Sequence, residues 1–68
     1  MIIKIKEEFI KLDSLLKLSG IAQTGGHAKM MIFDGLVKVN NEVCYLRGKK
    51  IRKSDTVLVE DTEIKVEN

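Results

Sequence analysis

A chain of 68 residues, 44% of them hydrophobic and 32% charged, is composed like a small soluble globule and unlike a disordered tail, and at this size folding hides only about 60% of the unfolded surface. No apolar run approaches the roughly 20 residues that span a bilayer; the opening MIIKIKEEF is too short and charged for a signal peptide, so the cytoplasm is the expected location, and a single cysteine, Cys44, excludes an internal disulfide. The net charge of +2 is unevenly spread, with nine basic residues against three acidic ones from Lys11 to Lys53 and one against five from Ser54 to Asn68, a pattern that suits a polyanion held on one face and equally suits a merely solvated surface.

In chain order, Met1 to Lys6 alternates, with Ile3 and Ile5 on one side and Lys4 and Lys6 on the other. This predicts a short strand that pairs with the C-terminal strands. At Leu12 the period changes. Leu12, Leu15, Leu16 and Leu18 fall on one side of a helical wheel, opposite Asp13, Ser14 and Lys17, and Gly20 supplies the stop of a helix of about two to three turns. Asp13 stands in the first turn, where the helix dipole favours a carboxylate, one turn before Lys17. Ile21 and Ala22 pack the link. Thr24 is a good N-cap for a second helix, whose inward stripe is Ala28, Met31 and Ile32 and whose stop is Gly35. Met30 and Phe33 point to the other side of that helix. Either the rest of the chain covers them or they form an exposed apolar pair.

Leu36 to Val39 alternates like a half-buried strand, with Val37 and Val39 inward and Lys38 outward with Leu36. Asn40-Asn41 tolerates the positive φ of a tight hairpin, and Val43 to Leu46 is the expected return strand, with Tyr45 packed in it. Arg47-Gly48-Lys49-Lys50 forms a basic turn, followed by Ile51 as a core anchor. Ser54-Asp55 marks a turn before the strand Thr56 to Val59, Asp61-Thr62 allows one more reversal, and Ile64 and Val66 complete the pattern. The expected fold class is α+β: two packed short helices followed by a small, mainly antiparallel sheet of four to five strands, in one domain over residues 1–68.

Catalysis finds little support. His27 and Cys44, the only residues of their kinds, lie in different predicted elements without a third partner for nucleophilic work, and two nitrogen or sulfur ligands do not make a zinc site. In its strand Cys44 reads as a small core hydrophobe. Gly25-Gly26 is no nucleotide fingerprint, lacking both a preceding strand and a Lys-Ser or Lys-Thr ending. The pair either permits a tight interhelical turn or lets bare backbone at a helix start approach a phosphate, beside His27 and Lys29. Phosphate binding gains from company, and Lys17, Lys38 and the cluster Arg47 to Lys53 provide it.

Leu12-Asp13-Ser14-Leu15-Leu16, Gly20-Ile21-Ala22, Ala28-Lys29, Met31-Ile32, Gly35, Val37-Lys38-Val39-Asn40 and Asp55-Thr56-Val57 together resemble the RNA-binding domain named after the fourth protein of the small ribosomal subunit, also called the αL motif. The match spans about residues 11–59, and the free-standing form is similar to small bacterial members of the YaaA and YbcJ type. The resemblance implies that the helices and the hairpin present a basic face to folded RNA through Lys11, Lys17, Thr24, Lys29, Lys38 and Asn40, with Arg47, Lys49 and Lys50 as a second lobe. Many members carry Ser-Arg where this chain has Thr24-Gly25, and Asn-Gly where it has Asn40-Asn41. Without that arginine, weight shifts to Lys29 and to backbone donors at Gly25 and Gly26.

The expected function is therefore non-catalytic binding of structured RNA, ribosomal RNA or tRNA, by a ribosome- or translation-associated monomer with no cofactor, metal or membrane partner. Two other readings compete with it. Met30 and Phe33 would serve a protein-interaction adaptor if exposed. A DNA-binding helix-turn-helix is weakened because the second helix offers only His27 and Lys29 as polar readers, where three or four are usual.

Overall fold

The computed structural model describes residues 1–68. Its elements are β1 (Ile2–Lys4), β2 (Ile10–Lys11), α1 (Leu12–Leu18), α2 (Gly25–Phe33), β3 (Val37–Val39), β4 (Glu42–Val43), β5 (Lys50–Ile51), β6 (Thr56–Val59) and β7 (Thr62–Glu67). Five strands form one sheet in the order β1-β7-β6-β3-β4, antiparallel except for β1 against β7, and β2 pairs with β5 in a separate ribbon. The α+β expectation is met. The predicted pairing of the first strand with the C-terminal end is seen in the register Ile2 with Lys65 and Ile3 with Val66.

One apolar cluster holds both layers together. Leu12, Leu15 and Leu16 from α1 and Ala28 and Ile32 from α2 meet Val37, Val57, Ile64 and Val66 of the sheet, all fully buried, with Ile51 closing one end. Burial of this kind contributes roughly 25 cal/mol per Å² of apolar surface and is the main term available to so short a chain. Leu18 departs from the expectation. At 3.6 residues per turn it lies about 200° beyond Leu16, and it stands 59% exposed.

Local signals set the connections. Gly20 and Gly35 have φ of +84° and +76°, the left-handed conformation that ends a helix without a side-chain clash. The amide of Ala22 donates to the Leu16 carbonyl at 3.0 Å, which draws the buried Ala22 under the interhelical link. Asn40 and Asn41 both have positive φ, 51° and 72°, as a two-residue hairpin needs.

Two strand expectations shift, and one pairing had none. The return strand is only Glu42–Val43, and Tyr45 and Leu46 beyond it are exposed. The final reversal falls at Glu60 and Asp61, one residue earlier than expected, with Glu60 at a φ of 53°. The ribbon β2–β5 joins two-residue strands far apart in the chain, which no local period could announce. No helix is long and apolar enough to cross a membrane.

Candidate nucleic-acid interface

The basic loop after β4 is fastened to the first turn of α1. Leu12 N–H donates to the Lys49 carbonyl at 2.9 Å and Asp13 N–H to the Arg47 carbonyl at 3.0 Å, while Ser14 N–H is taken by the Asp13 carboxylate at 2.8 Å. Lys11 provides no side-chain cap. The loop carbonyls do that work, satisfying donors that every helix start leaves open and turning the side chains of Arg47 and Lys49 outward, both exposed. In the adjoining ribbon Ile10 faces Ile51 and Lys11 faces Lys50. Like charges directly opposed across strands repel, so Lys11, Arg47, Lys49 and Lys50 make a strongly positive rim.

Arg52 of the basic cluster and Phe9, which the sequence reading did not name, extend this rim. Lys50 Nζ lies 4.8 Å and Arg52 Cζ 5.8 Å from the centre of the Phe9 ring, within cation–π range. The signal for Arg52 was the alternation Lys50-Ile51-Arg52 around a buried isoleucine, which brings both cations to the Phe9 ring. Phe9 had no signal, because the strand that positions it is two residues long.

The start of α2 is built differently. Thr24 is the N-cap expected from sequence, its hydroxyl accepting from His27 N–H at 3.0 Å, and His27 Nδ1 accepts in turn from Gln23 N–H at 3.3 Å. This resembles a capping box with histidine in place of the usual glutamate. The amides of Gly25 and Gly26 make no hydrogen bond within the protein. Neither glycine has positive φ, and a Cβ added at Gly25 would meet nothing within 4 Å, at Gly26 only the Thr24 hydroxyl at 3.9 Å. The turn therefore does not require them. They leave two donors bare at the positive end of a helix dipole, with exposed Lys29 on the next turn and its Nζ 5.6 Å from the Phe33 ring.

The remaining candidates scatter. Lys17 is exposed in the last turn of α1. Lys38 alternates with buried Val37 and Val39, so it projects from the sheet face turned away from the helices. Asn40 is committed internally: Nδ2 donates to Asp55 Oδ1 at 3.0 Å and Oδ1 accepts from Thr56 N–H at 2.9 Å. Asp55 also accepts from Arg52 N–H at 2.8 Å. The Asn40 hydrogen bond, the Arg52 amide and the nearby positive charges of Lys49 and Arg52 hold the Asp55 carboxyl below its ordinary value. Met30 and Phe33 are 64% and 52% exposed, which settles the alternative left open by the sequence. Cys44 is half-buried against the core, and no three His, Cys, Asp or Glu side chains gather as a metal site would need.

Comparison with known proteins places the chain in a family. A family model described as the S4 domain matches residues 3–67. A Bacillus subtilis (strain 168) protein named "Probable ribosome maturation protein RlbA" is 40% identical over 58 residues, covering 85% of this chain and 82% of its own length.

Proposed function

Because this chain belongs to the S4 domain family, we propose that it is a non-catalytic, cytoplasmic, monomeric module that binds structured RNA through phosphates and shape, in association with the ribosome or translation. The observation that carries this reading is Lys11 facing Lys50 beside a loop whose Arg47 and Lys49 are held outward by hydrogen bonds to α1. An RNA backbone laid over the rim would convert mutual repulsion into attraction and release counterions. The bare amides of Gly25 and Gly26, with Lys29, donate to a further phosphate. Lys17 borders the same helix pair, whereas Lys38 takes no part and Asn40 acts by shaping the hairpin. Between ribosomal RNA and tRNA, the name of the Bacillus relative favours ribosomal RNA.

Filter binding to a ribosomal RNA fragment and to tRNA tests this. Affinity falls steeply with salt, and Lys29→Glu with Lys50→Glu weakens binding at least tenfold at low salt with an unchanged urea midpoint. Equal affinity in a folded double variant would remove the surface proposed. A second reading, an adaptor for a protein partner, is favoured by the exposure of Met30 and Phe33. It gains if Phe33→Ala abolishes partner capture and leaves RNA affinity intact.

A further inference from the structure

Resting on the RNA-binding reading, we propose that Tyr45 is a stacking platform for one unpaired RNA base, with Lys49 and Arg47 taking the neighbouring phosphates. The strand pattern expects this ring to be packed. Instead β4 ends at Val43, and Tyr45 stands 58% exposed, followed by Leu46 at 68%.

The ring is exposed and yet held. Its hydroxyl oxygen and Cε1 lie 3.4 and 3.6 Å from the point where a Cβ on Gly35 would stand, and Val43 Cγ1 lies 3.8 Å from that point. Gly35 is in the left-handed conformation, so an edge of the ring settles against bare backbone. Hydrogen bonds pin the segment on both sides, from Cys44 N–H to the Val37 carbonyl at 3.0 Å and from Lys49 N–H to the Leu46 carbonyl at 3.1 Å. An aromatic ring fixed before binding gives up little conformational freedom when a base lies on it.

The basic loop beside the ring selects the occupant. Tyr45, Leu46, Val43 and Lys49 line one open groove of about 580 Å³, in which Lys49 is the one basic and Glu42 the one acidic residue. The groove runs into the loop whose backbone is tied to α1 and whose cations form the positive rim. An aromatic face bordered by phosphate-binding cations is the arrangement by which proteins hold unstacked nucleotides of loops and bulges. A protein partner would favour a broader dry patch without the cationic border. The groove thus gives the module a means of preferring RNA with an unpaired nucleotide over continuous duplex.

The chain has one tyrosine and no tryptophan, so its tyrosine emission reports on this single ring. Two RNA duplexes of equal length are titrated into the intact protein, one fully paired and one carrying a single-adenosine bulge. The bulged duplex is expected to quench the emission and to bind about tenfold more tightly than the paired one. Tyr45→Phe keeps that preference. Tyr45→Ala abolishes it while still binding the paired duplex as the wild type does. Unchanged emission on binding the bulged duplex, a preference that survives Tyr45→Ala, or an equal loss of both RNAs would overturn the platform and leave RNA binding standing. A shift of the wild type to dimer that Tyr45→Ala reverses would assign the ring to a second copy instead. If the wild type binds neither duplex nor ribosomal RNA, both readings fall.

Discussion

At the start of α1 the amides of Leu12 and Asp13 end on the carbonyls of Lys49 and Arg47, and Leu12 itself is fully buried. At the start of α2 the amides of Gly25 and Gly26 end on nothing in the protein, and the residues around them are exposed. Both ends offer the same partial positive charge. In the first it anchors a loop and builds the fold. In the second, the Thr24 and His27 caps keep the helix started while two donors are left without an acceptor in the chain. The difference teaches that a helix end is read by the destination of its donors, which the presence of a glycine or a lysine alone does not reveal.

The comparison can be broken most violently at α1. Leu12→Ala removes a fully buried side chain and should cost about 2–5 kcal/mol; urea unfolding measures the loss, and a change below about 1 kcal/mol would mean that this end is not structural. Thr24→Ala deletes the α2 cap and should cost about 1 kcal/mol, seen as a modest fall in the same midpoint. Gly25→Ala with Gly26→Ala gives the sharpest contrast because two readouts move in opposite directions. Alanine suits a helix better than glycine, so the double variant should gain up to about 1 kcal/mol in stability while RNA binding weakens as side chains cover the bare amides. Stabilisation with unchanged affinity would show that the open end of α2 is idle.

The smallest effect lies outside both helix starts, at Asp55. Its carboxyl is held below its ordinary value of 3.8, first by the Asn40 side chain and then by the Arg52 amide. A depressed folded-state pKa contributes stability that is present above the unfolded value and lost as pH falls through the folded one. The urea midpoint of the wild type should therefore decline below about pH 4, and Asp55→Asn should flatten part of that decline. An identical acid profile in the two proteins would discount the link between this carboxylate and the hairpin.

What was legible in the sequence was local. Thr24 as a cap, Gly20 and Gly35 as stops and Asn40-Asn41 as a hairpin each follow from the conformational preferences of one or two residues, and the buried stripe of α2 follows from helical period. The candidate site was legible in kind, since Lys11, Arg47, Lys49 and Lys50 do gather. Their gathering depends on Ile10 meeting Ile51 and on carbonyls capping α1, pairings between distant segments too short to carry a period. The same brevity hid Phe9 and misplaced Tyr45, because alternation was extended past Val43 where the strand had ended. Lys38 and Asn40 carried the right chemistry for RNA, but one faces away across the sheet and the other is occupied in holding Asp55 and Thr56.

The strand order has a consequence for how the molecule is made. β7 comes last in the sequence and yet lies inside the sheet, between β1 and β6. The α1–α2 pair and the β3–β4 hairpin join neighbours in sequence and can form as the chain emerges, but β1 has no partner until residues 62–67 follow it. Until then β1, with its isoleucines, keeps its hydrogen-bonding edge unpaired. The sheet is thus complete only once β7 is made, and a product stalled short of β7 would leave that edge unpaired.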